Sequence, residues 1–275
     1  MKARLLVFAV LASACSSVAQ AQEVPVAKPA TAWEAEFAGR DCGLKRHFQL
    51  GNGIVSLAIR QEVPEKGYEL TVFAEQLERK GRSAATSFAG SEPLEHDFFI
   101  DLDSGEWEGV QVNLPANYFD ASTSANAAND ELVIREAFDT DFALDLQDLG
   151  SALEVMDRCL DDLLTSWGFD PVTYRSLSRK VAPEDEEDMA WYFRATRPLL
   201  TSSYAKEGNA IDIFLRVGTD GRVTECVVGE EVADTRAAKR SCENLERVAR
   251  FLPALDADGR PVESFYTSTF RVRRI

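Results

Sequence analysis

Cysteines and histidines are the residues in this chain best able to do chemistry. There are five cysteines and two histidines among 275 residues. The cysteines are Cys15, Cys42, Cys159, Cys226 and Cys242. No two stand as Cys-x-x-Cys, so neither a dithiol redox motif nor a zinc ligand set is read. Without Cys15 the count is four, an even number that suits structural disulfides in an exported chain. Four cysteines allow three pairings, and sequence does not choose strictly among them. Grouping by domain favours Cys226–Cys242 and Cys42–Cys159. The first closes a loop of about 15 residues, worth roughly 3 kcal/mol in the chain-entropy account.

The histidines promise less. His47 adjoins Arg46 on a strand pattern and reads as a surface or edge residue. His96-Asp97 has the composition of a base with an orienting carboxylate, but strand neighbours point to opposite faces. Asp97, Asp101 and Asp103 alternate toward Ser104-Gly105, yet counting from Asp101 puts Gly105 fifth, where a calcium loop needs its glycine sixth. Neither a Gly-x-Ser-x-Gly elbow nor HExxH, a P-loop or GxGxxG is present. The reading is therefore a protein without catalysis, cofactor or metal. Its alternative is a periplasmic enzyme with an unrecognised active site in the β-rich domain.

Those residues sit in a chain that begins like an export signal. Lys2 and Arg4 precede an apolar stretch, Leu5 to Ala14, and Ala19-Gln20-Ala21 supplies a cleavage site. About ten apolar residues fall short of the roughly 20 that cross a bilayer core. Residues 1–21 are expected to be a signal peptide and the protein periplasmic. The competing site, Ala12-Ser13-Ala14-Cys15, would leave Cys15 lipidated and the protein anchored to a membrane. Leu11 lies one place too early for that pattern.

Residues 22–31 read as a disordered lead, and 32–170 as an antiparallel β-rich domain closed by a helix. Leu44, Arg46 and Phe48, then Val55, Leu57 and Ile59, then Tyr68, Leu70 and Val72 each alternate in strand phase. Leu149, Leu153, Met156, Leu160 and Leu164 follow helical spacing from an Asp148 cap, with Cys159 on the flank of that face. Residues 171–188 read as a linker ending in five consecutive acids, Glu184 to Asp188. A helix is expected near Arg197 to Glu207. Charge is uneven, with 14 Lys/Arg against 12 Asp/Glu from Met189 onward, and 16 against 34 before it. An acidic body repels nucleic acid and anionic lipid, so neither is expected as the main partner.

Residues 189–275 carry the most specific pattern. IDIFLRV leads through Thr219-Asp220-Gly221-Arg222 into VTECVV, a hairpin signature. A stripe of Ala238, Cys242, Leu245 and Val248/Ala249 gives a helix, then FLPALDADGRPV and the alternating run from Phe265 to Arg273 follow. The DGRV hairpin and the PA…DGRPV phrase on either side of that helix resemble the C-terminal domain of TonB-family energy transducers. The fold class expected is thus α+β, with a β-rich domain followed by a small TonB-like sheet of about three strands and two helices. The resemblance implies binding of a protein partner, an outer-membrane receptor or cell-envelope component, by strand addition. The strand it points to carries Tyr266, Ser268, Phe270 and Val272. No long proline-rich spacer or uncleaved anchor accompanies it, which removes energy transduction by this chain alone. Oligomeric state is left open.

Overall fold

Regular alternation drives the chain into strands between Val26 and Asp145, because every second side chain then shares one apolar face. The structure is a computed structural model that describes residues 24–38, 41–64, 66–81, 83–88, 91–96, 100–103, 107–119, 131–185, 190–202, 210–229 and 235–271. Contacts divide the chain into two units. One comprises residues up to Glu36, Gly43–Gln61 and Glu65–Glu154. The other comprises Phe37–Cys42, Glu62–Pro64 and Val155–Ile275.

The first unit is built on one sheet of eleven strands. They are β1 (Val26–Pro29), β2 (Glu34–Ala38), β3 (Asp41–Leu50), β4 (Gly53–Gln61), β5 (Tyr68–Glu75), β6 (Ala84–Phe88), β7 (Leu94–His96), β8 (Ile100–Asp103), β9 (Trp107–Leu114), β10 (Glu131–Arg135) and β11 (Phe142–Asp145). Their order is β7-β6-β10-β11-β1-β3-β4-β5-β9-β8, with β2 beside β3. Helix α1 (Leu149–Ser166) follows, and its first turns, through Glu154, group with this unit. Phe48, Leu57, Ile59, Leu132, Phe142 and Leu144 are fully buried and form its core.

This sheet corrects the expected fold class. The chain is mainly β, with 45% of the described residues in strands and 23% in helices, and a large, nearly closed barrel-like sheet dominates it. An α+β pairing with a small TonB-like domain does not describe it. Neither is the large sheet wholly antiparallel: Val26 and Ala27 run parallel to Ala143 and Leu144. Lys28 and Pro29 pair on the other side with Gln49 and Phe48. This one short strand joins two antiparallel stretches into a single sheet. It also overturns the disordered lead at 22–31, since Ala27 is completely buried. Two prolines made those residues look unstructured, but Pro25 accepts from the Ala143 N–H through its carbonyl and Pro29 ends the strand opposite Phe48.

The second unit holds a three-stranded antiparallel sheet, order β14-β13-β18, from β13 (Ala210–Val217), β14 (Val223–Val228) and β18 (Ser264–Arg271). Its helices are α2 (Pro171–Arg175), α3 (Ala190–Leu200) and α4 (Arg236–Val248), with the remainder of α1. Short strands β12 (Ala182–Pro183) and β15 (Phe251–Leu252) pair, as do β16 (Ala254–Leu255) and β17 (Pro261–Val262). The expected linker 171–188 is therefore structured through residue 185. Asp170 caps α2, Tyr174 and Val181 are buried, and Arg179 bridges to Leu255. Tyr174, Leu177 and Val181 pack into the hydrophobic cores of this unit, which a reading from charge alone does not anticipate. Helix α3 starts at Ala190, earlier than expected near Arg197.

Gly221 fixes the β13–β14 hairpin. Its φ is +75°, a conformation that favours glycine, and a Cβ there would lie 2.0 Å from the Phe251 carbonyl oxygen. The Phe251 N–H in turn donates to the Gly221 carbonyl at 2.9 Å. The turn thus seats the segment that leaves α4.

Candidate partner-binding edge of the second unit

Register along the small sheet decides where each side chain points. Ile211, Ile213, Leu215 and Val217 of β13 lie opposite Phe270, Ser268, Tyr266 and Ser264 of β18. On the other side Leu215 faces Cys226 and Ile213 faces Val228. These residues share one face, which packs against Tyr192, Ala195 and Leu199 of α3 and Ala238 and Leu245 of α4. Cys226 on that face meets Cys242 on α4, and the disulfide forms. Cys42 on β3 and Cys159 on α1 form the second disulfide.

Of the residues expected on the partner-binding strand, Tyr266, Ser268 and Phe270 lie together on this helix-covered face. Tyr192 stacks on Phe270 with ring centroids 5.2 Å apart, and Tyr266 meets Phe251 at 5.0 Å. Burial pushes the Tyr192 phenol well above its ordinary range. Ser268 pulls the other way, but the phenol oxygen has no partner in hydrogen-bonding geometry, so the loss of water prevails. Val272 lies outside the described residues. These side chains pack the sheet and are poorly placed to read a partner.

The opposite face is covered as well. Phe265 meets Trp167 at 5.1 Å, Phe169 at 5.0 Å and Phe214 at 5.5 Å, and stacks on Tyr174 at 5.0 Å. Arg216 lies over Phe169 at 4.7 Å and bonds Glu225, Glu263 and the Trp167 carbonyl. Burial depresses the guanidinium pKa, and the two carboxylates outweigh that and raise it. Further along, the Thr269 hydroxyl lies 2.7 Å from Glu62 and 2.8 Å from Asp212. One hydroxyl proton can serve only one of those carboxylates at a time.

With both faces occupied, what β18 offers a partner is its backbone edge. In the order of the described strands it stands outermost, as β14 does on the other side, and it is paired with β13 along all eight residues from Ser264 to Arg271. An outermost strand of this length is a template for another strand.

The residues singled out for catalysis are elsewhere and apart. His47 is half-buried on β3 with Nδ1 lacking a partner. His96 is buried on β7, its Nε2 3.0 Å from the Thr86 hydroxyl, and burial lowers its pKa. Tyr118 stands near Thr86, and burial pushes its phenol up to about 12. Thr86 opposes that shift only weakly, since the phenol has no well-formed bond. Alternation alone places Thr86 and His96 on one face, because Ala84 is paired with His96; the approach of Tyr118 was not legible. Asp97 lies outside the described residues, and of Asp101 and Asp103 only the backbone, in β8, is described. No group of three or more metal-ligating side chains occurs among the described residues. Nor is any described helix long and apolar enough to cross a membrane.

No protein-family model, curated protein or solved structure matches this chain.

Proposed function

We propose that this protein is an exported, periplasmic interaction protein whose second unit takes a segment of a protein partner as an added strand along β18. The observation that carries the reading is the place of β18, outermost in a sheet whose two faces are already packed. Recognition by backbone needs few side-chain features, which agrees with a strand whose side chains serve its own sheet. The two disulfides are compatible with an oxidising compartment. The partner class, an outer-membrane receptor segment or another cell-envelope component, is suggested by the sequence motifs of Ile211 to Ile275 alone and not by the fold.

The test is cross-linked capture by the full chain from periplasm, followed by hydrogen exchange on the purified complex. Strand addition requires that β18 amides gain protection when the partner is bound. A complex that leaves β18 exchange unchanged and protects another surface rejects it.

A further inference from the structure

A second feature of the same unit is independent of β18. Helices α3 and α4 pack side by side and leave a half-open cleft of about 190 Å³ between them. Trp191, Arg194 and Ala195 line it from α3, and Asn244, Arg247 and Val248 from α4. Among the described residues its charged lining is two arginines, Arg194 and Arg247, with no acid beside them. Trp191 is half-buried and held edge-on against Phe251, with centroids 5.8 Å apart. Val248, 40% exposed, supplies an apolar wall.

The two guanidiniums differ in how they are held. Arg247 donates to the Asn244 side chain at 2.9 Å, and Asn244 donates in turn to the Ala195 carbonyl at 3.3 Å. This relay ties Arg247 to the backbone of the neighbouring helix and fixes it at the cleft. Arg194 is exposed and makes no hydrogen bond or ion pair among the described residues. It sits four residues before Pro198, which has no N–H to offer the Arg194 carbonyl. One cation is thus positioned and the other is available to close on a ligand.

Two arginines beside an indole and a valine define a small amphipathic receptor with a positive sign. A guanidinium binds a carboxylate through paired N–H donors, and a carboxylate at such a site keeps its charge. A cavity of about 150 Å³ is already large enough for benzene. We infer that the cleft between α3 and α4 binds a carboxylate carried on a single-ring apolar body, the ring against Trp191 and Val248 and the carboxylate between Arg194 and Arg247. Such a group occurs on a free aromatic acid or at the carboxy terminus of a peptide ending in an aromatic residue.

The experiment follows the Trp191 indole N–H signal of the full chain by two-dimensional NMR, assigned with Trp191→Phe. Phenylacetate stands for the free acid and N-acetylphenylalanine for the peptide terminus. Phenylacetamide and phenethylamine keep the ring and change the charge. At least one acid should shift the signal with a Kd on the order of 1 mM, as befits so small a ligand, and the tighter of the two names the source. Arg194→Gln with Arg247→Gln should weaken that binding roughly tenfold or more, with the other amide signals unmoved. Added salt should weaken it too. The inference is overturned if neither acid shifts the signal, if phenylacetamide or phenethylamine binds as tightly as the acids, or if the double variant binds unchanged.

Discussion

The two units reach order by different means. In the first, a path of ten paired strands satisfies the backbone through its own ladder, and apolar alternation fills the interior. The second has only three strands in its main sheet, and the Cys226–Cys242 disulfide ties that sheet to α4, whereas Cys42 of the other disulfide lies on β3 of the large sheet. A small core supplies little surplus over chain entropy, so cross-links and stacked aromatics make up the difference. The contrast teaches where perturbation should act: loss of Cys226–Cys242 and aromatic truncation ought to open the second unit and spare the ladder of the first.

The severest way to break that contrast is to remove the staples. Cys42 and Cys159 are 117 residues apart in sequence, and replacing both with serine should lower stability by about 5 kcal/mol in the chain-entropy account. Cys226 and Cys242, separated by 16, should cost about 3 kcal/mol. Denaturant titration followed by hydrogen exchange measures both. Loss of protection in β4, β5 and β9 equal to that in β13 and β14 on removing Cys226–Cys242 would remove the distinction between the units.

Next in size is Phe265→Ala. Four aromatic rings meet Phe265, which is 5% exposed, so truncation should cost about 4 kcal/mol. A loss below about 1 kcal/mol in thermal or denaturant unfolding would mean the cluster matters less than its geometry suggests. Gly221→Ala comes third, at about 3 kcal/mol, from positive φ and crowding of the Phe251 carbonyl. Its signature is early exchange of β14 and the segment around Phe251, with the first unit unaffected.

The smallest effect belongs to the first unit. Burial lowers the His96 pKa below its usual 6.5. The unfolded chain therefore binds a proton more readily than the folded one. This contribution is fully present above about pH 6.5 and declines as pH falls from there toward the lowered folded value. Melting temperature measured between neutral and mildly acidic pH should fall, and His96→Gln should flatten that slope. An unchanged slope would mean that His96 stays solvated enough to protonate in place.

Much of this was legible from spacing. The alternation at Leu44 to Phe48 and Val55 to Ile59 gave strands, and the Asp-Gly turn gave the β13–β14 hairpin. Cys226 and Cys242 fell on a strand and a helix that a short loop brings together. What was not legible depends on partners distant in sequence. Val26 and Ala27 become a strand only because Ala143 and Leu144 are beside them, and no local pattern announces a parallel rung. Tyr266, Ser268 and Phe270 alternate correctly, but sequence could not say that α3 would cover that phase. Arg194 and Arg247 are unremarkable on their own helices and share a cleft only through helix packing.

The eight in-register pairs between β13 and β18 have a mechanical consequence. A pull directed along β18 loads all of those rungs together, in shear, and they yield only as a set. A pull across the strand would open them one at a time, as a zipper opens. A segment laid along β18 would therefore deliver axial tension to the strongest direction of the sheet. Under load the attachment would resist best when the partner is drawn lengthwise and release most easily when it is peeled from one end.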